Sequence, residues 1–269
     1  MFDLAIPGSA DLSRQLRQYV DSLRSAGIEW IPHAPAPAAV NVLQPACSYS
    51  AQSIEATESV APAGSLFEGG DQHLSSPEQR WQELAVLAEC VSKCTHCAEL
   101  AATRTQTVFG VGRLDPEICF VGEAPGADED AQGEPFVGAA GQLLNRIITA
   151  CGMKREGVYI CNILKCRPPG NRLPLPHEAA NCRQYLERQL ELVRPRFICA
   201  LGACAAQNLL DTKLSIGKLR GQFQQYRGIP VLCTYHPAYL LRSPDKKREV
   251  WEDMKKLLQR MGRTVPAGK

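Results

Sequence analysis

The 269-residue sequence lacks any apolar run approaching the ~20 residues that a bilayer-spanning helix requires, so no membrane span is predicted. The N-terminal residues also lack the pattern of a secretory signal peptide. Cysteine is abundant, however. The twelve cysteines are unevenly spaced and lie mostly in strand-like or helical stretches, unlike a secreted disulfide framework. We therefore expect a cytoplasmic protein in which some cysteines bind a metal or a cluster.

Residues 33–75 contain no Lys or Arg and are rich in Ala, Pro, Ser, Gly and Gln, which is typical of a flexible linker. The preceding segment, 1–32, contains a predicted amphipathic helix from Asp11 to Gly27, which either docks a partner or packs on the main domain. Residues 1–75 carry a net charge of −5 and residues 76–269 a net charge of +7. The positive charge of residues 76–269 indicates either a polyanionic binding partner or only an ordinary basic surface.

From residue 76 onwards, strand-like and helical patterns alternate. Ser76, Pro77 and Gln79 form a capping box that predicts a helix start. Strands are predicted at 118–121, 158–161, 197–201 and 229–235, with helices at 140–151, 176–193, 203–210 and 244–261. This order predicts an α/β fold for residues 76–269, with three α/β/α layers and a central, mainly parallel four-stranded sheet. Residues 1–75 would form an N-terminal helical or disordered extension.

The loop from Gly122 to Gly141 follows the first predicted strand and contains many glycines but no basic residue. A glycine-rich loop in this position often cradles a phosphate. Here five acidic residues would repel a free nucleotide, namely Glu123, Asp128, Glu129, Asp130 and Glu134. Because the loop also carries one aromatic residue, Phe136, it suits a flat and neutral ligand at the carboxyl edge of the sheet.

Four cysteines have the spacing or setting of metal ligands. Cys94 and Cys97 form a C-x2-C pair, and Cys166 and Cys182 flank a Pro-rich loop. Zinc, an iron–sulfur cluster and a redox pair all fit such a set. Cys90 extends the pair to the C-x3-C-x2-C spacing of radical S-adenosylmethionine enzymes, although here the motif ends a helix instead of following a barrel strand. Four other cysteines look like small core residues of the predicted strands: Cys119, Cys161, Cys199 and Cys233.

Several motifs, taken in order, resemble family 4 uracil-DNA glycosylases, the iron–sulfur branch of the uracil-DNA glycosylase superfamily. The resemblance covers roughly residues 84–260. It rests on Gly122-Glu-Ala-Pro-Gly126, Gly133-Glu-Pro-Phe-Val-Gly138, Ala140-Gly-Gln-Leu-Leu144, Asn162-Ile-Leu-Lys-Cys-Arg-Pro-Pro169 with Asn171-Arg172, Leu201-Gly202 and His236-Pro-Ala-Tyr-Leu-Leu-Arg242. Such an enzyme is a monofunctional hydrolase of base excision repair, which releases uracil from DNA and leaves an abasic site.

The resemblance implies two sites, a structural cluster and a uracil-binding pocket. It assigns a [4Fe–4S] cluster to Cys94, Cys97, Cys166 and Cys182, with a structural role. It assigns the uracil pocket to Gly122, Glu123, Ala124, Phe136, Asn162 and His236. A flipped-out uracil would stack on Phe136, and the Asn162 carboxamide would read its N3–H and O4. His236 would stabilise negative charge developing on O2.

The water-activating group is the least defined part of the implied site. The position that holds an aspartate in better-known uracil-DNA glycosylases is Ala124 here. Glu123 is the nearest carboxylate, and we expect it either to activate the water or to stabilise the sugar cation. Glu129 is expected to exclude the methyl group of thymine or, equally, to be an ordinary solvated loop acid.

The DNA would contact two groups of residues. The cluster would place Lys165, Arg167 and Arg172 near the phosphate backbone. The loop 237–242 would press on the duplex, with Leu240 or Leu241 as an apolar wedge and Arg242 on a phosphate. The expected partner is single- or double-stranded uracil-containing DNA, and the protein is expected to be a monomer. The N-terminal helix is expected to dock a repair or replication protein.

Two alternatives remain at this point. A non-catalytic or crosslinking relative would bind uracil-DNA without turnover. Its inserted basic loop carries a nucleophilic histidine, and the stretch from Leu214 to Gln222 contains no histidine, which favours turnover. The second alternative is a radical enzyme that uses Cys90, Cys94 and Cys97.

Overall fold

The computed structural model describes residues 76–266, so the predicted segments 1–32 and 33–75 lie outside the described residues. The first described helix begins at the predicted capping box. The Ser76 hydroxyl accepts a hydrogen bond from the Gln79 N–H at 3.2 Å, and the Gln79 side chain accepts one from the Ser76 N–H at 2.8 Å. Two N–H groups that the first helical turn would leave unpaired are thereby satisfied.

Residues 76–266 form nine α-helices and six β-strands. The helices are α1 (Pro77–Ser92), α2 (Ala98–Thr103), α3 (Ala127–Gln132), α4 (Ala139–Ala150), α5 (Pro176–Val193), α6 (Gly202–Leu210), α7 (Ile216–Leu219), α8 (Pro237–Arg242) and α9 (Lys247–Arg260). The strands are β1 (Val111–Gly112), β2 (Ile118–Gly122), β3 (Tyr159–Asn162), β4 (Phe197–Leu201), β5 (Phe223–Tyr226) and β6 (Ile229–Thr234). None of these helices is both long and apolar enough to cross a membrane.

The sheet has the strand order β1-β3-β2-β4-β6-β5. The four predicted strands form its parallel centre, as expected from their apolar runs. The predicted number of four strands was wrong, because β1 and β5 pair antiparallel at the two edges. Both lack a continuous apolar run: β1 has two residues, and β5 contains Gln224 and Gln225. The sheet is therefore mixed, although mostly parallel.

The sheet separates two cores, which confirms the three-layer architecture. Alternate strand residues such as Val121 and Ile198 pack with α1, α5 and α6 on one face. The intervening residues, such as Phe120 and Leu232, pack with α4, α8 and α9 on the other. The predicted core cysteines of β2, β3, β4 and β6 are all fully buried in these layers.

The chain order changes direction across the sheet between β2 and β4. From β2 the chain crosses to β3 on one side, and it then returns to β4 on the other. Loops that leave β2 and β4 therefore diverge, and such a switch point leaves a crevice at the carboxyl ends of the strands. The fold thus fixes where a ligand site should lie.

Candidate active site

A cavity of about 310 Å³ opens at the carboxyl edge of the sheet, beside this switch point. Glu123 and Ala124 follow β2, Asn162 ends β3, and His236 follows β6. Phe136 comes from the segment between α3 and α4. All five residues line the cavity, so the structure brings together the predicted uracil-binding residues from four separate parts of the chain. Gly122, the sixth, lies behind them at the end of β2.

Gly122 permits close contacts with two residues of this site. A Cβ atom added there would lie 2.4 Å from Asn162 Oδ1 and 2.5 Å from Phe136 Cζ. Both distances are far below normal contact, so any larger residue would displace the amide and the ring. Phe136 itself is buried and has a φ of 56°, an unusual value for a residue with a side chain. The surrounding fold holds this strained backbone, which aims the ring into the cavity.

Asn162 has a carboxamide that is buried but unpaired. The residue is 1% exposed, and no described residue makes a hydrogen bond to either its Oδ1 or its Nδ2. Buried polar atoms without partners are rare in folded proteins because each costs about 1–3 kcal/mol. Since the cavity lies directly in front of this side chain, the two orphaned atoms indicate a ligand that offers one donor and one acceptor.

His236 is held in one orientation and in its neutral form. The Ala238 N–H donates to His236 Nδ1 at 3.1 Å, so the ring proton must lie on Nε2. Burial lowers the pKa of His236 to about 4, nearby Arg242 adds to this effect, and Glu129 opposes it. The ring centroid lies 5.6 Å from that of Phe136. The site therefore contains a neutral imidazole with one free N–H donor beside an aromatic ring.

Glu123 is the cavity carboxylate nearest to the sheet. Burial raises its pKa, and a hydrogen bond with the Cys204 thiol partly offsets that rise. Cys204 lies in the first turn of α6, and the Asn208 side chain donates to its sulfur at 3.5 Å. Sequence reasoning missed Cys204. The only signal was its position two residues after the Leu201-Gly202 motif, at the end of a parallel strand.

The other acids of the loop mostly hold its backbone together. Glu129 accepts hydrogen bonds from the N–H groups of Gly126, Val137 and Gly138, at 2.9 to 3.0 Å. It lines the cavity but is not the freely solvated acid that was one of its two expected roles. Asp130 is buried and accepts from the Thr105 N–H. The structure therefore uses these two acids to shape the loop.

The four predicted cluster cysteines line one cavity. It lies between the segment after α1, the N-terminus of α2, the segment after β3 and the middle of α5. Arg104 donates to Cys166 Sγ at 3.1 Å, and Asn181 donates to Cys97 Sγ at 3.5 Å. Within residues 76–266, no group of three or more Cys, His, Asp or Glu side chains is arranged to hold a single metal ion. All four cysteines nevertheless line the same space.

Comparison with known proteins decides the family. A model of the uracil DNA glycosylase superfamily matches residues 109–255. The type-4 uracil-DNA glycosylase of Thermotoga maritima is 47% identical over 181 residues, which cover 66% of this chain and 94% of that protein. The corresponding protein of Archaeoglobus fulgidus is 45% identical over 184 residues, or 65% of this chain and 92% of the relative. The chain belongs to the type-4 uracil-DNA glycosylases.

A type-5 uracil-DNA glycosylase from Pyrobaculum aerophilum is also similar, with 32% identity over 146 residues, 48% of this chain and 64% of that protein. The lower identity and coverage agree with placement in the type-4 branch. Family membership also removes the radical-enzyme alternative. The position of Cys90 agrees with this, because it lies on α1 and is not among the residues that line the four-cysteine cavity.

The predicted DNA contacts of Lys165 and Leu240 are wrong, because both side chains are buried. Lys165 is 1% exposed, and its ammonium group donates to the Asn162 carbonyl and to Gln189 Oε1. It therefore cannot reach a phosphate. Leu240 is also buried, at 1% exposure, within the core beneath α8. The adjacent Leu241 is 43% exposed, so it is the only one of the two leucines that faces outwards.

The remaining predicted DNA contacts lie around the mouth of the site. Arg242 is exposed at the end of α8, and Arg167 is half-buried and donates to Asn171. Arg172 lines the cavity, but its guanidinium is already paired with Glu178 and Glu99. Its contact with a phosphate would compete with these two carboxylates.

Proposed function

We propose that this type-4 uracil-DNA glycosylase hydrolyses the N-glycosidic bond of a flipped-out uracil in DNA and leaves an abasic site. The observation that carries the proposal is the buried and unpaired carboxamide of Asn162, which faces the same cavity as Phe136 and neutral His236. Extruding a base from a duplex costs a few kcal/mol, so the pocket must recover this energy by stacking and hydrogen bonding.

Recognition of uracil would use Asn162 and Phe136. The Asn162 Oδ1 accepts from uracil N3–H, and its Nδ2 donates to O4. Cytosine has the opposite donor and acceptor at these two positions, so the fixed amide would leave both of its atoms unpaired. A stacking contact with Phe136 contributes about 1–3 kcal/mol to binding. Glu129, which borders the cavity, would contribute to exclusion of the thymine methyl by fixing the loop that closes over the ring.

Bond cleavage would depend on His236. As the glycosidic bond breaks, negative charge develops on the base and positive charge on the sugar. The Nε2–H of neutral His236 is available to donate to uracil O2, because Nδ1 is occupied by the Ala238 N–H. A donor that is already oriented stabilises this charge without reorganisation, an effect of about 2.7–4 kcal/mol in comparable sites.

Water attack would involve Glu123. Its pKa is raised by burial, so the carboxylate is a stronger base than an exposed glutamate. It lines the cavity on the β2 side. It would orient the water or stabilise the sugar cation, while the backbone groups of Gly122, Glu123 and Ala124 complete the pocket.

Cys94, Cys97, Cys166 and Cys182 would hold a [4Fe–4S] cluster. Their shared cavity and the N–H donors of Arg104 and Asn181 fit thiolate ligands, which attract such donors. The cluster would link the ends of α1 and α2 covalently to the segment that follows Asn162. On the DNA side, Arg167, Arg172 and Arg242 would contact phosphates, and Leu241 would take the wedge position predicted for Leu240 or Leu241.

The context of the reaction is also part of the proposal. We expect a cytoplasmic monomer that acts on single- or double-stranded uracil-containing DNA. The predicted helix at 11–27 would dock a repair or replication protein.

The test is product analysis with purified protein whose visible absorption shows an intact cluster. Uracil-containing oligonucleotides should yield free uracil, detected by mass spectrometry, and strands that break at the abasic site under alkali. His236→Asn should lose release while it keeps the visible absorption. If uracil stays in both single- and double-stranded DNA, the proposal fails. If a protein–DNA adduct accumulates on a denaturing gel, the crosslinking alternative is correct.

A further inference from the structure

Lys165 is a buried cation for which the proposed reaction has no role. Its ammonium group donates to the Asn162 backbone carbonyl at 3.0 Å and to the Gln189 side chain, and it lies 5.7 Å from the centre of the Phe109 ring. Lysine is almost never fully buried unless it is paired, because removing the charge from water is costly. A methionine of similar length would fill the same space without this cost. The cation therefore indicates a requirement for its hydrogen bonds.

The chain between Asn162 and Lys165 forms one edge of the active site. The Ile163 N–H donates to the Gly122 carbonyl at 2.9 Å, and the Leu164 N–H donates to the Glu123 carbonyl at 3.0 Å. These bonds extend the β2–β3 pairing past the end of the strands and join the two pocket loops. Lys165 then turns back and bonds the carbonyl of Asn162 itself. Asn162 is thus fixed from both sides through its backbone.

This backbone support matters because the Asn162 side chain has no support of its own. No described residue makes a hydrogen bond to its Oδ1 or Nδ2. The direction of the carboxamide therefore depends on the position of its backbone and on close packing against Gly122 and Phe136. A misplacement of about 1 Å in such a group can cost about 10²-fold in rate.

We propose that Lys165 is a positioning residue that holds the Asn162 backbone so that the carboxamide meets the uracil edge. The inference rests on the proposed function. It also gives the cysteine cavity a direct connection to the pocket, because Cys166, which lines that cavity, follows Lys165 in the chain. One residue therefore connects the cysteines to the base-reading amide, with its backbone on one side and its ammonium group on the other.

The test is a double-mutant cycle of Lys165→Met and Asn162→Ala, measured as single-turnover uracil release. Lys165→Met alone should lose about 10²-fold in rate. In the Asn162→Ala background it should change the rate by no more than about twofold, since the group that it positions is gone. The matched control is Gln189→Met, which removes the other acceptor but keeps the bond to Asn162. It should lower thermal stability with little loss of uracil release.

A second readout does not depend on turnover. Calorimetry with free uracil should show weaker binding by Lys165→Met than by the wild type, with equal affinity of both for uracil-free DNA and equal visible absorption. If Lys165→Met does not fold, Lys165→Gln, which is too short to reach both acceptors, enters the same cycle.

Two results would overturn the inference. One is a Lys165→Met loss that is equally large in the wild-type and Asn162→Ala backgrounds, because a general structural role predicts independent effects. The other is wild-type release and uracil affinity in a folded Lys165 variant. An inactive wild-type protein would instead refute the proposed function, so the two failures are distinguishable.

Discussion

Replacement of Asn162 by aspartate tests the base-reading role with almost no change in shape. The carboxylate keeps an acceptor for uracil N3–H but loses the donor for O4. It also places a charge at a side chain that is 1% exposed. Two buried acceptors then face each other without a proton between them: the carboxylate oxygen that replaces Nδ2, and uracil O4. Each costs about 1–3 kcal/mol when left unsatisfied. Since 1.4 kcal/mol corresponds to a factor of ten, uracil release should fall by about 30-fold to more than 10⁴-fold.

The assay is single-turnover uracil release from a duplex, with strand cleavage resolved after alkali. The control is Asn171→Asp, which adds the same charge at a residue that lines the cavity but has no assigned contact with uracil. Asn171 is exposed, has a left-handed φ that aspartate tolerates, and accepts from Arg167 through an oxygen that aspartate retains. Its effect should be confined to DNA affinity and should weaken with salt. Equal losses in the two variants would show that charge, and not base reading, explains the Asn162 result.

Other predictions concern the histidine, the wedge and the cysteines. Because burial lowers the pKa of His236 to about 4, uracil release should show no inflection at the ordinary histidine pKa near 6.5. The same shift stabilises the fold above pH 6.5, and denaturant unfolding should show this contribution decline as pH falls towards 4, with no such decline in His236→Asn. Leu241→Ala should slow release from duplex more than from single-stranded DNA, whereas Leu240→Ala should lower the free energy of unfolding by about 2–5 kcal/mol. Cys182→Ala should lose the visible absorption of the purified protein; full absorption in this variant would contradict the assigned ligands.

The centre of the fold was predictable because its strands are continuous apolar runs. The segments at 118–121 and 197–201 need burial on both faces, and only the middle of a parallel sheet provides it. The edge strands lack this signal: the two residues of β1 are too few to show a period, and Gln224 and Gln225 give β5 a polar pattern.

The site was predictable where a residue follows a buried strand, as Asn162 and His236 do. Residues whose environment depends on distant packing were not. Lys165 sits near Arg167 in a basic motif, but its burial depends on Gln189, 24 positions later on α5. Leu240 and Leu241 are adjacent on the six-residue helix α8, and only the rotation of that helix decides which of them faces the core. Neither rotation nor long-range burial can be determined from local sequence.

The most direct test of the central claim is a crystal structure of the protein soaked with uracil. We predict a ring stacked on Phe136, N3–H and O4 hydrogen-bonded to the Asn162 carboxamide, and O2 within hydrogen-bond distance of His236 Nε2. Uracil bound elsewhere, or bound in this cavity with the Asn162 carboxamide still unpaired, would contradict it.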